Sequence, residues 1–390
     1  MKKAKPRILV IASWYKSAES PWQGSFIEEQ ARLLVGNGHD VWVLHPYLKG
    51  RFFETIHNRK NSLEYTTDRE LPTLRLGVAP FFVGFRQMSY CKLCRFAAAE
   101  MGSWFKKVGK PDIIHSHSAF MGGIVANHIA RQYKLPYFHT EHTSGFLHRA
   151  AQYTPSDIKL VKNVYSHAKG VFFVSSFARE RMISDYGLHP SDCAVVSNMV
   201  DDVFFTKPIL IPGKKQFGFL IIGSLIPRKG HQLLLAAWKT HLQDFPDSLL
   251  TIAGDGPLKA QLMEFAQESR IGHSITWLPP LARHEVLEAI DNHHAIVSAS
   301  QVETFGLTIA EALSRGRPVA VTDSGGVRDI VAGHCGIITQ QSAEALSAGL
   351  AIIRMNFATF EPGKIQAYCR SKFSSEVIYR VLMNAYQRVL

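Results

Sequence analysis

Cysteine is scarce: five residues in a chain of 390, an odd number without the spacing of a disulfide framework. That excludes a cystine-stapled scaffold and fits thiols kept reduced. Cys91 and Cys94 form a C-x-x-C, but no second pair and no suitably spaced histidine pair follows, so a four-ligand zinc site is missing. Long hydrophobic runs are absent too. FGFLIIGSLIP, among the longest, falls short of the roughly 18 apolar residues that a membrane-spanning helix needs. The apolar run after MKKAKPR is only ILVIA and leads into charged WYKSAES, shorter than a leader's usual core of about 7 to 15 residues. It reads as a first buried strand, and the expected location is cytoplasmic, at most resting on a membrane. There is no internal repeat, no low-complexity tract, no dense Lys/Arg run and no nucleic-acid motif, so no nucleic-acid partner is expected.

What is present describes a globular protein: 46% hydrophobic and 19% charged residues. The length exceeds the roughly 250 to 300 residues at which single cores stop growing, so two domains are expected. The net charge of +12 is uneven, with 26 basic against 15 acidic residues up to position 200 and 18 against 17 beyond it. An anionic partner would therefore be met by the front half.

The front half alternates apolar runs with helix-like segments: ILVIA, FIEEQARLLVGNG, DVWVLHP, PDIIHSH, GGIVANHIARQY, LPYFHTE, GVFFVSS. Helices between buried strands imply right-handed crossovers and a parallel sheet. The pattern restarts with GFLIIGS, GHQLLLAAWKTHL, SLLTIAG, SITWLP, AIVSAS, LTIAEALSRG and PVAVTD, a second sheet of the same kind. TKPILIPGKKQ interrupts both periods and predicts a linker near 206 to 215. The expectation is two doubly wound α/β domains facing a central cleft, 1–205 and 206–372. A last helix over 373–390 should dock on the front domain through Val377, Val381, Leu382, Ala385 and Val389.

The sharpest chemical signal is SASQVETFGLTIAEALSRGRPVAVTDSGGVRDIV. Glu303 and Glu311 flank a turn, Thr304-Phe305-Gly306-Leu307, between a strand end and a helix start. Free amides at such a start favour a diphosphate, and glycine permits close approach. The carboxylates can accept hydrogen bonds from hydroxyl groups. The structural alternative is a capping box of Thr308 with Glu311 and an ordinary helix stop at Gly316-Arg317-Pro318.

Glu303 to Glu311 resembles the E-x7-E element of retaining glycosyltransferase family 4, of the GT-B class, and Gly325 to Val331 resembles the GG-x-x-[ED]-I-V element that follows it there. Gly223-Ser224-Leu225 through Lys229-Gly230, Gly254 to Pro257, Asn198 through Asp201 to Phe204, and Pro21 through Gly24 to Gln30 match further elements in the same order. The resemblance implies that Glu311 holds the donor ribose and that Glu303 contacts the sugar near the reacting carbon. The amides of Phe305, Gly306 and Leu307 would line sugar and phosphate, and Lys229 would bind the leaving diphosphate, where a cation stabilises growing charge. The family usually has Arg where Ser224 stands. Arg228 either substitutes for it or is a solvated surface charge. Pro280 and Leu281 match the strand-end loop whose main chain reads the nucleobase, which leaves UDP versus GDP open.

In the front half, Gly24 opens a helix whose amides would face phosphates or an incoming hydroxyl, with a capping box of Ser25 and Glu28 as the plain alternative. His142, at the end of YFHTEH, matches the family histidine near the donor sugar. Glu141 would touch the acceptor or pair with a nearby base. His115 and His117 alternate onto one strand face without an apparent third metal ligand, and structural or acceptor contacts are expected of them. There is no D-x-D, so neither a metal nor any other cofactor is expected beyond the nucleotide-sugar co-substrate.

Residues 80–110 mix Phe81, Phe82, Phe85, Tyr90, Phe96, Trp104 and Phe105 with Arg86, Lys92, Arg95, Lys106, Lys107 and Lys110. On one helical surface these would suit an anionic membrane. The alternative is a helix that buries its aromatics while its lysines meet water. The resemblance implies a hexose transferred from a UDP-sugar, favoured over a GDP-sugar, to a lipid or lipid-linked acceptor at the inner face of the plasma membrane. The competing classes are a donor-binding protein without catalysis and a basic membrane or nucleic-acid adaptor.

Overall fold

The computed structural model describes residues 5–17, 23–50, 60–68, 70–80, 86–148, 153–187, 192–210, 212–213 and 216–390. Two compact units divide the chain. The first takes it up to Val174, then Arg179–Met199 and Ile378–Leu390, and the second takes Ser175–Ala178 and Val200–Val377.

In the first unit the apolar runs become strands β1 (Arg7–Ala12), β2 (Asp40–Leu48), β3 (Ser62–Asp68), β4 (Leu71–Val78), β5 (Ile113–His117), β6 (Tyr137–Glu141), β7 (Gly170–Phe173) and β8 (Cys193–Val195), ordered β3-β4-β2-β1-β5-β6-β7-β8. All pairings are parallel except β3 with β4. The β3–β4 hairpin was not expected. SLEYTTD has no apolar run, and its Leu63 and Tyr65 are exposed, so it forms an exposed edge. From β1 the chain moves outward to β2 and later returns to β5 on the other side of β1. Loops following β1 and β5 therefore meet at the switch point where open α/β sheets bind ligands.

The second unit holds β9 (Gly218–Ile222), β10 (Leu249–Ala253), β11 (Ile275–Leu278), β12 (Ala295–Ser298), β13 (Val319–Thr322) and β14 (Gly336–Thr339), ordered β11-β10-β9-β12-β13-β14 and parallel throughout. Its switch point lies between β9 and β12. Each sheet is Rossmann-like, as expected.

The second unit begins upstream of the expected linker, and two buried arginines explain why. Arg315 donates to the carbonyls of Phe204, Lys207 and Pro208 and pairs with Asp291 at 2.8 Å, while Arg317 bonds Leu210 O. Both are at most 1% exposed. What reads as a helix stop in the sequence is an anchor for the incoming chain. Of the expected linker, residues 211, 214 and 215 lie outside the described residues.

The last helix, Ser375–Tyr386, packs in the first unit from Ile378 on. Its buried face is Ile378, Leu382 and Tyr386; Val381, expected inward, is 37% exposed. The face is set by the i, i+4, i+8 row instead, because the phenols of Tyr379 and Tyr386 reach His39 and His115.

Candidate functional site

In the second unit the loops after β9 and β12 carry the expected residues together. Gly223 N bonds Ala253 O at 3.0 Å and Leu225 N bonds Asp255 O at 2.8 Å, which pins the first loop to its neighbour after β10. Gly230 has φ +68, and a Cβ there would lie 1.9 Å from Ala299 O, so only glycine lets the two loops touch. Lys229 is thereby aimed at the second loop, and its Nζ meets Glu303 Oε1 at 2.5 Å. Ser300 Oγ donates to the same oxygen at 2.8 Å.

Burial alone would raise the Glu303 carboxyl, but the Lys229 ammonium, the Ser300 hydroxyl and the nearby Arg228 charge hold it below its usual value. Arg228 thus lies within electrostatic reach of the carboxylate, whereas Ser224 is exposed and adds no charge.

The turn Thr304-Phe305-Gly306 is held from beneath. Glu303 N donates to Ser324 O at 2.9 Å and Gly326 N to Glu303 O at 3.1 Å. A Cβ on Gly326 would sit 2.5 Å from Thr304 O. Phe305 is 1% exposed and packs edge-on to Phe373. Gly306, at φ +112, caps the helix Leu307–Ser314 without any side-chain cap. The capping box of Thr308 with Glu311 therefore does not form. The Leu307 and Thr308 amides are left at a helix start, where the first N–H groups lack intrahelical partners and an anion is favoured.

Glu311 is buried and takes a hydrogen bond from Arg283 Nη1, a residue the sequence did not single out. Burial raises the Glu311 carboxyl, the Arg283 guanidinium opposes that, and Asp201 adds to it. Arg283 begins the helix Arg283–Asp291 just past Pro280, which is exposed, and Leu281, which is half-buried. In RHEVLEA an arginine reads as a surface charge, so only the tertiary contact reveals it.

In the first unit, Gly24 caps the helix Ser25–Gly36 at φ +72, and a Cβ there would lie 2.4 Å from Trp14 O. No capping box of Ser25 with Glu28 forms; Glu28 pairs with Lys16 at 2.9 Å. Pro21 lies outside the described residues.

At the ends of β5 and β6 the histidines pack into a stack. His115 and His117 share a face at 4.6 Å between ring centres, as alternation requires, and His117 stacks on His142 at 5.3 Å. His117 Nδ1 and His142 Nε2 are 3.0 Å apart, and Phe26 lies 4.5 Å from the His142 ring. His115 is fixed between Tyr386 and Thr140, a structural role. Burial pulls the imidazoles of His115 and His142 down to about 3 and that of His117 well below its usual value, so all three rings are neutral at pH 7.

Glu141 pairs with a nearby base, the second of the two alternatives the sequence left open: His139 Nε2 lies 3.3 Å from its Oε2. Burial would raise its carboxyl, but His139 and the Thr143 amide hold it down at about 2. It also accepts from Ala119 N, His142 N and Tyr165 Oη, and so locks the strand-end turn that presents His142. Among the described residues no group of three or more His, Cys, Asp or Glu side chains is arranged to hold a metal ion.

The helix Arg86–Val108 corrects the mixed surface expected of residues 80–110. Tyr90 and Phe105 are buried with Leu93, Ala97 and Met101, and Trp104 packs at a tilt against Trp42, 5.3 Å between ring centres. Arg86, Arg95, Lys106 and Lys107 are exposed together with Met88, and Lys92 is half-buried. Phe81, Phe82 and Phe85 lie outside the described residues. No helix among the described residues is long and apolar enough to cross a membrane.

Comparison with known proteins assigns the chain a family and a fold. Residues 204–355 match the family model for glycosyl transferases group 1, and residues 23–204 match that for glycosyltransferase family 4. One relative, a subunit of the human phosphatidylinositol N-acetylglucosaminyltransferase, is 26% identical over 84% of this chain and 64% of that protein. The alpha-monoglucosyldiacylglycerol synthase of Streptococcus pneumoniae is 28% identical over 65% of this chain and 62% of that protein. The chain thus spans a little under two thirds of the length of these two relatives. Among solved structures, Anabaena HepE in complex with UDP and glucose superposes with a TM-score of 0.74 at 16% identity, covering 98% of this chain and 99% of that one.

Proposed function

The chain belongs to glycosyltransferase family 4 and has the two Rossmann-like domains of the GT-B fold, and from that premise we propose that it is a retaining hexosyltransferase using a nucleotide-diphosphate sugar. The observation that carries the reading is the meeting of Lys229 with Glu303 beside the Gly306-capped helix start at the β9/β12 switch point. A cation, a pair of helix-start amides, the half-buried Glu303 carboxylate and the buried Glu311 carboxylate border it, which suits a diphosphate flanked by a hexose and a ribose.

In this mechanism the diphosphate of the donor meets Lys229, Arg228 and the amides around Leu307, while Glu311 accepts from the ribose hydroxyls. Pro280 and Leu281 border the base, UDP being favoured. The bond from the anomeric carbon to the phosphate oxygen breaks, and the acceptor oxygen bonds to the same face of that carbon. The acceptor proton passes to a donor phosphate oxygen, which gives an α-glycoside. Lys229 stabilises the charge that accumulates on the leaving group. Glu303 orients the sugar, and His142, neutral and fixed by Glu141 through its backbone, acts as a hydrogen-bonding group toward it. No step uses a metal ion.

The acceptor is a lipid or lipid-linked glycan, a reading supported by the lipid-directed names of the two relatives above. The exposed Arg95, Lys106 and Lys107 of Arg86–Val108 suit peripheral contact with the anionic inner face of the plasma membrane. A screen of UDP- and GDP-sugars for thermal stabilisation, followed by transfer assays on membrane extracts, tests the proposal. Stabilisation by none of them, or binding without any transfer, would refute it.

A further inference from the structure

Arg283 joins two parts of the site that the chain keeps apart. It stands at the first position of the helix Arg283–Asp291, whose start is pinned by Ala282 N donating to Glu285 Oε2 at 2.6 Å, directly after the loop that ends β11. Its Nη1 reaches one oxygen of Glu311, 28 positions later, and its guanidinium carbon lies 4.7 Å from the centre of the Phe204 ring. The aromatic face and the carboxylate together fix the guanidinium plane, and a planar fork held that way orients the group it binds.

Glu311 itself is 2% exposed on its side chain. The charged and titratable groups acting on it are Arg283 from that helix, Asp201 from the segment before Phe204, and Cys369 from the helix Pro362–Phe373 packed against its own. Arg283 is the cation of that set, and a buried carboxylate that loses its counter-charge is strongly disfavoured.

We propose that Arg283 is a positioning residue for the donor: by clamping one oxygen of Glu311 it fixes the acceptor of the ribose hydroxyls and ties ribose recognition to the strand-end loop after β11. The inference rests on the reading of Glu311 as the ribose-holding residue. An ionised carboxylate accepts from two hydroxyls at once, and a protonated one loses part of that capacity. With Arg283 present the guanidinium opposes the upward pull of burial and keeps the carboxylate ionised to lower pH than burial alone would allow. Without it, burial acts unopposed and proton uptake begins at a higher pH.

The test is calorimetric titration of UDP and 2′,3′-dideoxy-UDP, with the guanosine pair in parallel, into wild type, Arg283→Met and Glu311→Ala across the neutral pH range. The affinity ratio of each pair isolates the ribose hydroxyls and cancels titration of the phosphates. Wild type should show a ratio that changes less with pH than that of Arg283→Met. In Arg283→Met the ratio should drop about tenfold at the acid end and recover as pH rises, in a protein that still folds cooperatively although its unfolding midpoint is lowered by the stranded Glu311 carboxylate. A folded Arg283→Met protein with the wild-type ratio at every pH, or with a loss that pH does not move, overturns the clamp. If Glu311→Ala keeps the full ratio, the ribose reading itself falls, and the inference with it.

Discussion

Lys229 and Glu303 stand 74 positions apart in the chain, yet the Lys229 ammonium lies 2.5 Å from a Glu303 carboxylate oxygen. The pair joins the loops that leave the two central strands of the second sheet. Lys229→Ala should therefore do two things. Losing a cation at the leaving group should lower kcat by about 10² to 10³. Losing the charge that holds Glu303 down should also raise its pKa, so the acid limb of the pH–rate profile should move upward. Steady-state kinetics against pH, with Lys229→Arg as the charge-keeping control, measures both.

Gly326 supports the turn rather than the chemistry. A methyl group there would come within 2.5 Å of Thr304 O and 2.7 Å of Glu303 O, both main-chain atoms that cannot swing aside. Gly326→Ala should push the Glu303 loop outward, and a shift of about 1 Å costs on the order of 100-fold in rate. The expected signature is a large loss of kcat/KM, with a change in unfolding midpoint too small to explain it.

Much of this was legible in the sequence, for physical reasons that differ by residue. Strands such as ILVIA and GFLII are buried on both faces, and their uninterrupted apolar runs survive without tertiary context. The loop glycines 24, 230 and 306 mark turns with positive φ, which few other residues tolerate. Polar sequences gave no such sign. The β3 edge strand offers only the short Leu63/Tyr65 alternation, both residues exposed, Arg283 looks like a helix-surface charge, and Arg315 and Arg317 look like a polar helix stop. Their meaning lies in partners up to 111 positions away. Capping boxes misled in the opposite way: the sequence motifs at Ser25 and Thr308 are present, but glycine caps both helices and frees Glu28 and Glu311 for cations.

Arg315 offers a stability test that does not involve donor or acceptor. It is fully buried, pairs with Asp291, and bonds three carbonyls of the entering chain. Arg315→Leu strands a buried carboxylate and unsatisfied carbonyls, a loss of about 3 to 5 kcal/mol. Denaturant unfolding followed by intrinsic fluorescence should show it. The double variant Arg315→Leu/Asp291→Leu should recover part of the loss, because the stranded charge is gone while the three carbonyls remain unpaired.

The histidine stack makes the first unit sensitive to acid. His115 and His142 have folded-state values of about 3, set first by burial, against about 6.5 in the unfolded chain. Between those limits the unfolded state binds more protons than the folded one, so stability rises with pH. It is complete above the unfolded value and is lost as pH falls from about 6.5 toward 3. Glu141 has the same sign but a different window: its folded value near 2 lies below the ordinary carboxylate value, so its contribution is lost only under more acidic conditions. Denaturant melts at a series of pH values should show a steep decline starting below about pH 6.5, before carboxylates titrate. His142→Gln keeps a neutral hydrogen-bonding side chain next to His117 and removes one titrating ring, so its decline should be shallower. A wild-type stability that stays level down to the carboxylate range would mean that these rings are not buried neutral.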